Sequence, residues 1–517
     1  MSKHIGAVLG AALFMCTAGG VVAQDVELRS FDGSVELEGN LISYDGAFYR
    51  LDTVYGALTV SAEGVSCAGP GCPDLATFVA EARVAGAATV AEGLLPDLLS
   101  AFAESRSMSA GTEIGEDGPV YILRRADGSA AARFTVVPSS TDDGFTTLLN
   151  GTADIALALR EPSAVEIRAA EAASPRDPPL DDRVRVLALD ALVPVVSDEN
   201  PIDALSLPDV ARLFSGEITN WQELGGPDAP IALHLLAPGF GLAQAFAARV
   251  LLPSDAGLAD GILRHESTEA LAAAVAGDAY AVGITARSGI GGARALPLIG
   301  ACGFSQTASA DAVKAEDYPL TAPVYMYLAP RRLPQLVRQF LAFTQTENAE
   351  RRVSDAGFVN QLLTRTPLAL QGERLTNAIM SAGEDVDLAE LQNVVDVLAT
   401  AERLSTTLRF NPGGADLDIQ SRASVARLAA AVERGAFDGR RLIFAGFSDS
   451  DGPSSINARL SLRRAGVVRD AVLTAGVAAA PDRVEMITYG FGEAMPMACD
   501  DTEWGRSVNR RVEVWLD

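Results

Sequence analysis

The sequence predicts an α/β protein headed by a small all-β unit, and three observations carry that prediction. Residues 25–66 alternate apolar and polar positions between turn signals, short apolar strands alternate with helical stretches from about residue 78, and the last hundred residues repeat strand and helix spacing around an ordered set of polar positions. With 517 residues, 48% hydrophobic and 21% charged, the chain has ordinary globular composition and the length of roughly two to four domains.

Residues 1–23 read as a secretory signal. Lys3 and His4 give a polar start, an apolar stretch runs from Ile5 to Cys16, and Val21-Val22-Ala23 forms a small-residue cleavage site that leaves Gln24 as the mature N-terminus. Cys16 follows Met15 rather than a small residue, which argues against lipid anchoring. No later stretch reaches the roughly 18 uninterrupted apolar residues of a membrane span, so the mature chain is expected in the periplasm, not membrane-spanning. A formal charge of -26 argues against nucleic acid or anionic lipid as a partner.

Beyond the signal, Cys67, Cys72, Cys302 and Cys499 stand in an oxidising compartment, where disulfides are the first expectation. The turn-rich spacer Ala68-Gly69-Pro70-Gly71 can bring Cys67 and Cys72 together. Cys302 and Cys499 either pair across domains or stay as buried thiols. Zinc lacks nearby histidine, and no metal or cofactor is expected.

Taken in order, residues 24–75 form a small β domain. It shows alternation at Val26-Glu27-Leu28 and Val35-Glu36-Leu37-Glu38, turns at Asp32-Gly33, Asp45-Gly46 and Glu63-Gly64, and no catalytic constellation. Further on, 82–86 reads as a strand, 94–104 as a helix, 133–138 as a strand and 144–149 as a short helix. Apolar strands follow at 154–159 and at 184–196, the latter in one piece or two. Open α/β sheets of this kind hold ligands at the carboxyl ends of their strands.

Four segments of this region are distinctive: Gly86-Ala87-Ala88-Thr89-Val90 before a helix, Leu148-Leu149-Asn150-Gly151-Thr152-Ala153-Asp154-Ile155-Ala156, Phe214-Ser215-Gly216-Glu217-Ile218-Thr219-Asn220-Trp221 and Ala281-Val282-Gly283-Ile284-Thr285. On these the region resembles the phosphate-type periplasmic substrate-binding proteins of ABC importers. The resemblance implies a two-lobed clamp over 76–365, with 281–285 as the late strand that returns the chain across the hinge and Pro367 closing the domain. It also implies phosphate or another small anion as ligand, held by helix-start amides, hydroxyls and an arginine. Here those positions fall on Thr89, Ser139, Ser140 and Arg160. The hydroxyl residues suit helix N-caps equally well. In 237–243, where the family carries arginine, aspartate and a Ser-Gly-Thr turn, charge and hydroxyl are both missing, which weakens the case for phosphate.

Residues 366–402 read as a helical connector packed on one neighbour, with Leu388, Leu391, Val394, Val395 and Leu398 at helical spacing. In 403–517, Gly446-Phe447-Ser448-Asp449 ends an apolar run, Asn457, Leu460-Ser461 and Arg464 share a helical stretch, and Gly490-Phe491-Gly492 and Asn509-Arg510-Arg511-Val512 follow. These motifs resemble the OmpA C-terminal domain, a periplasmic module that grips peptidoglycan. Walls of diaminopimelate type present an ammonium beside a carboxylate, so a selective site needs an acid and a base. The resemblance gives Asp449 the ammonium and Arg464, with its two-point fork, the carboxylate. The resemblance also counts among the peptidoglycan-binding residues Asn457, two helical turns before Arg464 on the same face, and Arg510, the first arginine of the family's Asn-Arg-Arg signature. Phe447 replaces the usual histidine or tyrosine, and Ser448 a threonine. The alternative is that these charges are internal ion pairs, with Arg464 bracing Asp449.

The expected architecture is a two-lobed periplasmic-binding-protein-like α/β domain, preceded by a small β unit and followed by an OmpA-like α/β domain. The expected function is non-enzymatic: attachment to peptidoglycan and presentation of a solute clamp. Its rivals are a phosphate-uptake component of an ABC transporter and an enzyme acting on wall material through His234 or His265.

Overall fold

The computed structural model describes residues 25–75, 77–173, 175–381, 386, 388–411, 416–476 and 483–517, so the secretory signal read at 1–23, with Cys16 and Gln24, lies outside the described residues. The chain divides into two compact units between Phe78 and Val79. The first unit is a five-stranded antiparallel sheet in the order Gly56–Ser61, Phe48–Thr53, Glu36–Tyr44, Val26–Ser30, Val65–Ala68. Strand alternation puts Val26, Leu28, Tyr49 and Leu51 into one small core. At the Asp45-Gly46 turn, the Asp45 carboxylate accepts the amides of Ala47 and Phe48 at 2.9 and 2.7 Å, while Gly46 takes a left-handed φ of 91°. Cys67 and Cys72 are bonded across their Gly-Pro-Gly spacer with Cα atoms 5.8 Å apart.

In the second unit an eleven-stranded sheet runs through two lobes. Ten strands form its path, Leu263–His265, Ala232–Leu236, Ala281–Ala286, Val184–Val196, Thr321–Leu328, Ile155–Ala158, Ala80–Ala87, Ala130–Ser139, Pro119–Arg124, Ser109–Ile114, and the eleventh, Arg294–Ala295, pairs with the end of Val184–Val196. The apolar run at 184–196 is a single strand of 13 residues. As far as Ala191 it pairs with Thr321–Leu328, and residues 192–196 pair with Ala281–Ala286, so one strand serves both lobes. Nearly all of it is buried, which is why it reads as unbroken apolar sequence. The return across the hinge was expected at 281–285. That strand instead stays in the second lobe, between Val184–Val196 and Ala232–Leu236, and Thr321–Leu328 makes the return.

The C-terminal sheet runs Arg365–Pro367, Glu402–Arg409, Arg511–Leu516, Arg441–Gly446, Glu485–Gly490. Arg365–Pro367 pairs with residues 402–404, so the boundary expected at 365/366 falls inside an edge strand, and Pro367 belongs to this sheet. Alternation sorts the two faces. Leu442 and Phe444 pack on the helices Ile419–Glu433 and Ser454–Ala475, whereas Ile443, Ala445 and Trp515 pack on the connector helices Gly372–Ser381 and Leu388–Leu398. Of the connector's apolar stripe, Val394 and Leu398 are buried and Leu391 is partly buried, while Leu388 stays 69% exposed.

A buried charge cluster joins connector, C-terminal sheet and two-lobed domain. Fully buried Glu513 accepts Arg511 Nε at 2.7 Å and Arg374 Nη2 at 2.5 Å on Oε1 and Trp515 Nε1 at 3.1 Å on Oε2, from which Arg403 Nε lies 3.3 Å. Burial pushes the Glu513 carboxyl up, but Arg374, Arg403 and Arg511 outweigh it and hold the group well below the usual carboxylate range. Arg403 continues to Asp317 of the two-lobed domain at 2.6 and 3.1 Å, and Arg409 donates to the Glu316 carbonyl at 2.6 Å. A disulfide between Cys302 and Cys499, Cα atoms 5.6 Å apart, fastens the second lobe to the C-terminal domain, so of the two alternatives the cross-domain pairing holds.

Two tests follow from this junction. Glu513→Gln leaves three guanidinium groups around a neutral amide and is expected to lose about 3–5 kcal/mol in denaturant unfolding. Because the folded carboxyl sits below its ordinary value of 4.5, its contribution is full above that pH and is lost as pH falls through the folded value, so the variant is expected to be less acid-sensitive than the parent. Non-reducing peptide mapping is expected to recover Cys302 linked to Cys499, and the Cys302→Ser/Cys499→Ser variant to lose about 2–5 kcal/mol.

Candidate functional site

The C-terminal polar motifs converge at one end of the sheet. Strand Arg441–Gly446 closes on Gly446, where an added Cβ would sit 2.0 Å from the Ser461 carbonyl oxygen, and at Gly490 one would sit 2.5 Å from the Leu462 amide. Only glycine lets both strand ends lie directly on helix Ser454–Ala475. Ser461 Oγ then accepts the Gly492 amide at 3.0 Å and the Gly492 carbonyl accepts the Ser448 amide at 2.7 Å, which fixes the turn that carries Asp449.

Asp449 is 7% exposed and accepts Arg510 Nη1 at 2.7 Å, while Arg510 Nη2 donates to Glu503 at 2.9 Å. The alternative reading gave Asp449 a brace from Arg464; the brace comes from Arg510 instead. Arg464 is 6% exposed, stands over the Phe410 ring at 5.4 Å, and has no hydrogen-bond partner for Nε or Nη1. Burial and then the Arg510 charge push its guanidinium below its ordinary value, with Asp449 opposing. Asn457 is on the same helix face, but its Nδ2 donates to Glu493 at 2.7 Å and to the Asp451 and Asp449 carbonyls at 3.1 and 3.3 Å. Its amide nitrogen thus steadies the loop.

Sequence reasoning missed the second half of that scaffold. Asn509 holds Ala498 and Asp500 through Nδ2 at 2.8 and 2.6 Å, and Asp500 accepts the Ser450 amide at 2.7 Å, directly beside Asp449. The Asn-Arg-Arg signature was the available signal, and its asparagine is the supporting member. Phe447 also acquires a reason: Arg511 stacks 4.2 Å over its ring.

The second candidate is the cleft between the lobes, a cavity of about 310 Å³. Of the four residues expected to hold solute, only Thr89 lines it. Ser140 is the N-cap of helix Thr141–Leu149 in a reciprocal capping box with Asp143, the structural role its residue type also allowed. Ser139 Oγ bonds the Ser140 carbonyl at 3.4 Å. Arg160 is engaged elsewhere, by both oxygens of Glu166 at 2.8 Å and by Asp142. Those carboxylates lie close in sequence or on the neighbouring helix, and they take the fork that an anion would need.

What the cleft contains instead is Asp190, on the strand shared by both lobes. It is 5% exposed and accepts Ser288 Oγ at 2.7 Å, the Ser288 amide at 3.3 Å and the Ala191 amide at 2.7 Å. Burial raises its carboxyl, and these neutral donors only partly offset that. A lone acid within a long apolar strand was the signal in the sequence. His234 and His265 sit on adjacent strands with ring nitrogens 2.9 Å apart, and neither lines this cavity.

Comparison with known proteins divides the chain in the same way. Residues 120–348 match the PBP superfamily domain, and residues 409–510 match the OmpA family. Outer membrane porin F of Pseudomonas fluorescens is 48% identical over 73 residues, which are 14% of this chain and 21% of that protein. Peptidoglycan-binding protein ArfA of Mycobacterium tuberculosis is 39% identical over 74 residues, 14% of this chain and 22% of its own length. Protein SphX of Synechococcus elongatus is 27% identical over 237 residues, 44% of this chain and 68% of that protein. Among solved structures, an ABC-type phosphate transport receptor from Vibrio cholerae aligns over 54% of this chain and 99% of its own, at 19% identity and a TM-score of 0.41. This chain therefore carries a two-lobed PBP-superfamily domain joined to a C-terminal OmpA-family domain.

Proposed function

We propose that the protein belongs to the cell envelope, attaches to peptidoglycan through its OmpA-family domain and presents the two-lobed domain as a solute binder, without catalysis. The observation that carries this is Arg464, a buried guanidinium with two nitrogens unbonded, on the helix that packs beside the Asp449 loop. A buried cation without partners is costly, and a ligand carboxylate supplies the missing acceptors. Asp449, held in place by Arg510, accepts the ammonium of the same diaminopimelate-type stem peptide. The name of the ArfA relative, a peptidoglycan-binding protein, supports the same ligand. No helix among the described residues is long and apolar enough to cross a membrane.

Phosphate uptake has less support, because Arg160 is already saturated by Glu166 and Asp142. Attachment also opposes shuttling to a transporter, whereas it raises the clamp's effective concentration near wall-linked partners.

Co-sedimentation with purified diaminopimelate-type peptidoglycan tests the wall assignment. Asp449→Ala and Arg464→Ala are each expected to weaken retention by about 10- to 100-fold, the equivalent of one charge-assisted hydrogen-bond pair. Asn457→Ala, which disturbs only the loop's support, is expected to cost less. Undiminished sedimentation of both charge variants would defeat the assignment.

A further inference from the structure

We propose that the cleft between the lobes takes a small organic cation, a protonated amine on an apolar body, in place of phosphate. This rests on reading the two-lobed domain as a solute binder and names the class of its ligand.

Charge is the first ground. Four acids line the cavity, Asp190 inside it and the exposed Glu92, Glu266 and Glu269 toward solvent, and no lysine or arginine is among its described lining residues. A phosphate dianion would meet like charges on every charged wall. The arginine expected to compensate, Arg160, forms a two-point pair with Glu166.

The environment of Asp190 is the second ground. Asp190 is more than nine-tenths buried, it lines the cavity, and it makes no salt bridge among the described residues. Its hydrogen bonds come from neutral donors alone, Ser288 and the Ala191 amide. Arg287, whose field favours the ionised form, turns its Nε to the Ala308 carbonyl at 2.9 Å and is not part of the lining. Buried carboxylates are ordinarily matched by a counter-ion, and here the cavity is where one has room to enter.

The shape of the site completes the description. Leu159, Leu192, Leu242 and Phe240 give the cavity apolar walls that suit methylene groups, and about 310 Å³ lies at the small end of ligand pockets. A short amine with an aliphatic chain satisfies both the charge and the walls.

Isothermal titration of the full-length protein with putrescine, cadaverine, choline and lysine, and separately with inorganic phosphate, tests the proposal. At least one of the amines is expected to bind and phosphate to give no signal. Asp190→Asn is expected to weaken the amine about tenfold or more. Because Asp190 also holds Ser288, a Glu266→Gln/Glu269→Gln variant at the exposed rim provides a second arm that spares the fold, with a smaller loss expected. Phosphate binding by the unaltered protein would overturn the cation assignment while leaving the solute-binding reading intact. Silence from all four amines, or amine binding indifferent to both variants, would also overturn it, and silence from phosphate as well would remove the solute-binding reading. Peptidoglycan co-sedimentation in the same preparations judges the wall reading separately.

Discussion

The ionised side chain of Glu513 organises the second compact unit. It sits at the centre of the C-terminal sheet with no exposure to solvent, and three arginines from three different segments must reach it. Arg374 brings in the connector, Arg403 the neighbouring strand, and Arg511 the strand's own start. An isolated carboxylate in that position would be prohibitively costly, so the three approaches stand or fall together. Arg403 also reaches Asp317, so the same cluster fixes the C-terminal domain on the two-lobed one. Such clusters add less net stability than their number of contacts suggests. What they impose is a single arrangement, because any other packing leaves charges buried and unmatched.

That fixed arrangement explains the contrast between the two candidate sites. At the C-terminal candidate site, supporting residues use up the polar valences of the loops, through Asn457, Asn509, Asp500 and Arg510, and leave Arg464 and the Ser448 hydroxyl with bonding capacity to spare. In the cleft the balance is reversed. The cation is neutralised outside the cavity by Glu166, and an acid is left inside it. The cleft between the lobes is thus lined by charge of the opposite sign to the one an anion requires.

Much of this was legible in the sequence because it rests on local pattern. The alternation in the first unit, the apolar run at 184–196 and the glycines beside helix Ser454–Ala475 each follow from spacing or from steric need. The cleft was less legible because its chemistry depends on which neighbours a side chain meets in space. Arg160 reads as an anion contact until Glu166, six residues on, folds back against it. Asp190 reads as an interruption of a strand until both lobes close around it. Arg365–Pro367 reads as the end of one domain because three residues carry too little pattern to reveal the sheet they join. The roles of Asp449 and Arg510 were visible as charges, but which arginine would brace the acid depended on the geometry of the last strand.

The disulfide between Cys302 and Cys499, 197 positions apart in sequence, closes a covalent ring that includes the whole connector. A protease that cuts any peptide bond inside that ring opens it without separating the pieces. The two-lobed domain is therefore not shed from the C-terminal domain by a single nick in the segment between them. After such a nick, covalent release requires a further event such as reduction of the Cys302–Cys499 bond, so survival of the joined molecule depends on the thiol balance around it as well as on proteases.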